Sequence, residues 1–141
     1  MEYRRFGDTV YVRMDRGEEI ARQLQAVAEA ESIRLAQVSA LGATDDFTVG
    51  VYDVDTRQYH SLTFRGPHEI VALTGTINTM DGVYYSHLHM GCADTQGRMV
   101  GGHLNRAVVS ATCEAVITVS HGTVDRVYDQ QVTGLNLFRF S

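Results

Sequence analysis

The sequence predicts an α+β domain, a large and mainly antiparallel β-sheet with a helix against one of its faces. Three observations predict it. Apolar and polar residues alternate along most of the chain, as in half-buried strands. Short polar turns separate these runs, which favours antiparallel pairing. One segment near the N-terminus instead repeats its apolar residues at helical spacing. Hydrophobic residues make up 44% of the 141, enough for the core of a single domain over 1–141.

The first expected strand is 7–14, GDTVYVRM, centred on Val10 and Tyr11. In the next segment Asp15 is the expected N-cap and Glu18, three residues on, completes a capping box. Ile20, Leu24, Val27 and Ala28 then form one apolar helical stripe. Strands follow from Ile33 to Leu41 and from Phe47 to Tyr52, with a turn over 53–57. Tyr59 to Phe64 is a further strand, and 69–77 is its partner beyond Gly66-Pro67. Met80-Asp81-Gly82 is a turn signal. Val83 to Met90 and Arg106 to Val119 are the next strands. Two short ones close the chain at 122–128 and 134–140. In the last, Phe138 and Phe140 alternate, so this tail is expected to dock in its own sheet or on a neighbouring subunit.

Composition narrows the function. All 12 basic residues are arginine, and the formal net charge is −5. Without lysine there is no lysine Schiff base or lysine nucleophile. Scattered arginines on an acidic chain are a poor match for duplex binding, which rests on neutralising phosphates. There is no apolar run long enough for a membrane helix and no signal-peptide pattern at the start. A cytoplasmic location with reduced Cys92 and Cys113 is the expectation.

The chemistry concentrates in SHLHMGCADTQGRMVGGHL, residues 86–104. On strand 83–90 Tyr85, His87 and His89 share one face, and residues two apart on one face are about 7 Å apart. Their imidazoles can converge on one ion. Gly97 is the expected positive-φ residue of the following turn. If 98–104 pairs back on 83–90, His103 lies across from the other two, and Gly101-Gly102 permits close backbone approach. Three neutral imidazoles suit a divalent ion, zinc above all, with a fourth position left open. Cys92 and Asp94 are near enough in sequence to be ligands. Asp94 is either a turn former or a contact of bound water. Glu114 points away from the row Val109, Ala111, Cys113, Ala115, Ile117. His60, His68 and His121 are isolated. No nucleophile elbow, P-loop or dinucleotide fingerprint is present.

Four stretches in order, VSALGATDDFTVGVYD (38–53), HEIVALTGTI (68–77), HLHMGCADTQGRMVGGHL (87–104) and VVSATCEAVIT (108–118), resemble the PPC (plant and prokaryote conserved) domain in its stand-alone prokaryotic form. The likeness covers nearly the whole chain. It implies an antiparallel sheet flanked by helices, a homotrimer, and a metal set at His87, His89 and His103. It also implies a DNA-binding label, which comes from plant relatives that carry AT-hooks. No such hook occurs here. The first cupin motif is a weaker match, since Asp94 stands where cupins usually have Glu and the second motif's proline is missing.

Two functional readings compete. One is a trimeric metal-holding module that takes a small-molecule ligand or a macromolecule. The other is a hydrolase-like enzyme in which the ion activates a water, with Asp94 or Glu114 as base.

Overall fold

The computed structural model describes residues 1–140; the final residue of the domain expected over 1–141 lies outside them. The elements run β1 (Glu2–Phe6), β2 (Thr9–Asp15), α1 (Ile20–Ala30), β3 (Ala36–Asp53), β4 (Gln58–Met80), β5 (Val83–Ala93), β6 (Met99–Val119), β7 (Asp125–Asp129) and β8 (Leu135–Arg139). The first six strands form one sheet in the order β1-β2-β6-β3-β4-β5, and β7 and β8 form a separate hairpin. Every pairing is antiparallel. The last turn of pairing joins β5 back to β6, so β6, β3, β4 and β5 close into a ring. That closure positions the site.

The mainly antiparallel sheet stands as expected, but the flanking helices do not. Among the described residues α1 is the one helix. The connections between the other strands are turns of two to five residues, or form the covering hairpin, and leave no room for a second. The eleven-residue α1 is also too short and polar to cross a membrane. It buries Ile20, Leu24, Val27 and Ala28, the stripe the periodicity predicts. Fully burying a side chain such as Leu24 contributes about 1.5–3 kcal/mol.

The helix starts later than its sequence signal. The Asp15 N–H does donate to the Glu18 carboxylate, at 2.7 Å, which is half of a capping box. Gly17, at φ +88°, turns the chain there and delays the helix. Glu19 becomes the N-cap, accepting from Ala21 N and Arg22 N at 3.3 and 2.8 Å. It also accepts from Ala107 N at 3.2 Å, which ties the helix start to β6.

The strands are longer than the pattern suggests. The runs 33–41 and 47–52 fuse into β3, and 59–64 and 69–77 fuse into β4, with bulges between Ala40 and Gly42 and between Thr44 and Asp46. Pro67 is accommodated at the second irregularity, where β4 has β3 on one side only, as a proline inside a sheet requires. A register shift on β6 opposite Gly42 and Thr44 turns Ala111 outward. The apolar row expected there is broken at that residue, while Val109, Cys113, Ala115 and Ile117 stay buried. β1 carries no apolar alternation and is exposed along its length. An edge strand of this kind leaves no periodic signal, and the first strand is accordingly expected only from residue 7.

Candidate metal centre

β5 presents its histidines because of what its other face buries. Leu88, Met90 and Cys92 point into the core, so strand alternation sends His87 and His89 to the opposite side. His103 on β6 is in direct register with His89 on β5 and with Gly50 on β3. β6 reaches this place through Gly101 and Gly102. A Cβ on Gly101 would lie 2.5 Å from Met90 O, and one on Gly102 would lie 2.5 Å from Gly50 O. Both are backbone atoms, so the two glycines are the condition for His103 lying between β3 and β5.

The three imidazoles converge. One ring nitrogen from each of His87, His89 and His103 lies within 4.8 Å of the other two. Ring centroids are 5.0, 5.2 and 5.6 Å apart. His87 Nε2 and His89 Nε2 are 3.2 Å apart. Two nitrogens bound to zinc at 2.0–2.1 Å in tetrahedral geometry are about 3.3 Å apart, so the donor spacing fits a metal ion. The electrostatics also fit. Partial burial holds His87 below the usual histidine pKa, reinforced by the charges of His103, His89 and Arg126. Burial, with a smaller contribution from His89, does the same for His103. Both shifts favour the neutral, ligating form of the imidazole.

The other residues singled out in this stretch lie elsewhere. The Asp94 carboxylate builds the β5–β6 turn. It accepts from Gln96 N and Arg98 N at 2.8 and 3.0 Å and pairs with the Arg98 guanidinium at 2.7 and 2.8 Å. The Arg98 side chain holds its pKa below the usual carboxylate value, which weakens it as a base. Gly97 sits at φ +75° in this turn, as expected. Glu114 is eleven residues from His103 along β6, roughly 35 Å of extended chain. It lines a different concavity, with Tyr11, Leu41 and Val71. Cys92 is in the core, and burial pushes its thiol pKa up to about 12. The structure therefore brings together His87, His89 and His103, and leaves Asp94, Glu114 and Cys92 apart from them.

The histidines border a cavity of about 1050 Å³, and its second wall is made by the two short C-terminal strands, which are expected from the sequence but not beside the histidines. That wall is the β7–β8 hairpin. It is anchored to the end of β4 by Asn78 Nδ2 donating to Val124 O at 3.2 Å and Thr79 Oγ1 donating to Asp125 Oδ1 at 3.1 Å. Arg57 Nη2 holds the hairpin's turn through the carbonyls of Gln130 and Gln131, at 3.0 and 3.3 Å. The hairpin carries Arg126, Tyr128 and Phe138 to the cavity. Asn78, which anchors the hairpin, is fully buried.

Known proteins share this architecture. A family model described as the Plants and Prokaryotes Conserved (PCC) domain matches residues 1–121. A crystal structure from Bacteroides thetaiotaomicron, described as a "putative DNA binding protein", is 28% identical with a TM-score of 0.95, covering 99% of this chain and 96% of that one. The structure of a metal-containing protein from Archaeoglobus fulgidus is 31% identical with a TM-score of 0.86, covering 99% of this chain and 97% of that one. A plant- and prokaryote-conserved protein from Pyrococcus horikoshii shares the fold, at 21% identity and a TM-score of 0.85, over 99% of this chain and 94% of that one. Among curated proteins, the bifunctional protein GlmU of a Synechococcus strain is 32% identical over 106 residues, 74% of this chain. The chain spans only 16% of that protein's length.

Proposed function

The chain belongs to the Plants and Prokaryotes Conserved domain family, and from that premise we propose that it is a metal-binding module in which His87, His89 and His103 hold one divalent ion. The observation that carries this reading is the convergence of three imidazole nitrogens within 4.8 Å beside a cavity. Three neutral nitrogen donors favour zinc among the divalent ions common in cells. The metal-containing relative from Archaeoglobus fulgidus supports the same reading. When bound, such an ion would supply a Lewis-acid position open to the cavity. His87 and His89 would set its position through β5, and His103 would do so through β6. The two carboxylates considered as bases, Asp94 and Glu114, lie outside this arrangement, so binding is favoured over hydrolysis. DNA binding, the label of some relatives, is disfavoured by a net charge of −5 and the lack of lysine. The test is a zinc titration of protein purified without a nickel column. Saturation at one ion per chain is expected, and the absence of any saturable binding would refute the proposal.

We further place the chain in a homotrimer, as the family resemblance implies. Tyr11, Leu41 and Val71 are each more than half exposed and line one concavity of about 1030 Å³, apolar surface that favours a subunit contact. Light scattering is expected to give three times the 15.6 kDa subunit mass. A monomer at micromolar concentration would overturn the assignment.

A further inference from the structure

Arg126 is only 6% exposed and lies against the same cavity as the three histidines. Its guanidinium carbon is 4.6 Å from the centre of the Tyr85 ring and 4.4 Å from that of Phe138. Nε donates to Asn78 Oδ1 at 3.0 Å, and Nη1 donates to Asn136 O at 2.6 Å. Both acceptors are neutral. Among the described residues no carboxylate pairs with Arg126. Its neighbour Asp125 is engaged with Thr79 and Arg139 instead. Nη2 makes no hydrogen bond among those residues.

A guanidinium stays charged at any physiological pH. Burying that charge without an anion is costly, and two aromatic faces offset only part of the cost. Two neutral hydrogen bonds fix the direction of the planar group and leave its Nη2 edge unused. This is how a fixed anion-recognition group is built, with its geometry set before the ligand arrives.

We infer that the cavity binds a small organic carboxylate, with the carboxylate against the Nη2 edge of Arg126 and an apolar body along Val51, Leu135 and Leu137. The far end of such a ligand faces His87, His89 and His103. The charge count selects the class. Arg126 is the one arginine among the residues lining the cavity and the chain has no lysine, so without an ion at the histidines the cavity matches a monoanion and not a phosphate dianion. The largely apolar lining selects an organic body over a small inorganic anion. Neither β7 nor β8, which build this wall, falls within residues 1–121 covered by the family model. The inference rests on the three-histidine reading only for what the ligand's far end meets; the Arg126 wall stands without a metal.

The test uses the full chain, metal-free and zinc-loaded, titrated by calorimetry with benzoate and with its neutral counterpart benzamide. Benzoate is expected to bind both forms. Benzamide is expected to bind at least about tenfold more weakly, the loss set by one hydrogen bond to a charged group. Arg126→Met is expected to lose benzoate by at least the same factor while keeping the zinc stoichiometry of the wild type. Equal binding of benzoate and benzamide, no benzoate binding, or undiminished benzoate binding by Arg126→Met would each overturn the inference. Tighter binding of phenylphosphate than of benzoate by the metal-free chain would overturn the carboxylate class. If Arg126→Met does not fold, the benzoate–benzamide contrast in the wild type decides alone. If zinc fails to bind while benzoate is still preferred over benzamide, the metal reading falls and this one stands.

Discussion

His103→Ala is expected to weaken zinc binding by at least about 100-fold. Loss of a residue that merely supports a ligand costs 10–100-fold in metal affinity, and removal of one of three ligands exceeds that range. The variant should nevertheless fold, because the His103 side chain faces the cavity and buries no part of the core. Competition against a chromophoric chelator measures the affinity, and far-UV circular dichroism checks the fold. His87→Ala should behave in the same way. His121→Ala removes a histidine that pairs with Asp8 at the surface and should leave affinity unchanged. Equal affinity in all three variants would place the metal elsewhere. Protons compete for the same nitrogens, so affinity should fall at acid pH. The depressed pKa values of His87 and His103 move that loss to lower pH than free imidazoles would show.

The second large effect concerns the backbone that delivers His103. Gly102→Ala is expected to destabilise the protein by about 1–3 kcal/mol or more, as overpacking of a closed structure does, and to weaken zinc binding with it. The added methyl would meet the carbonyl oxygen of Gly50 at 2.5 Å and that residue's backbone carbon and nitrogen at 3.2 and 3.3 Å. Backbone cannot rotate away, so β6 must shift from β3 at the point where His103 enters. Gly91→Ala is the contrast. There the nearest atom is the terminal methyl of Met99, at 3.3 Å, a flexible end that can move. Thermal unfolding of the two variants should differ clearly, with Gly91→Ala close to wild type. Similar melting temperatures for the two would show that close packing at Gly102 does not hold the site.

Local pattern carried the site further than it carried the fold. His87 and His89 share a face because β5 alternates, and alternation is written in the sequence. His103 joins them because the turn at Asp94 to Arg98 reverses the chain, and that turn has its own signal in Asp94 and Gly97. Helix α1 was legible by its stripe, yet its start was not, since Gly17 and Glu19 override the Asp15 cap. The bulges in β3 and on β6 were hidden because a bulge depends on the partner strand. Arg126 was hidden for the same reason. Asn78, which fixes its Nε, is 48 residues away, and no periodicity links them. The ring closed by β5 and β6 is likewise a property of pairing, and it makes one site out of two separate histidine segments.

The most direct measurement is X-ray absorption spectroscopy at the zinc edge on protein loaded with one equivalent of zinc. Three imidazole nitrogens at about 2.0–2.1 Å are predicted, with the remaining position filled by an exchangeable oxygen donor. A sulfur at about 2.3 Å, or a spectrum unchanged in the His87→Ala and His103→Ala variants, would contradict the three-histidine centre.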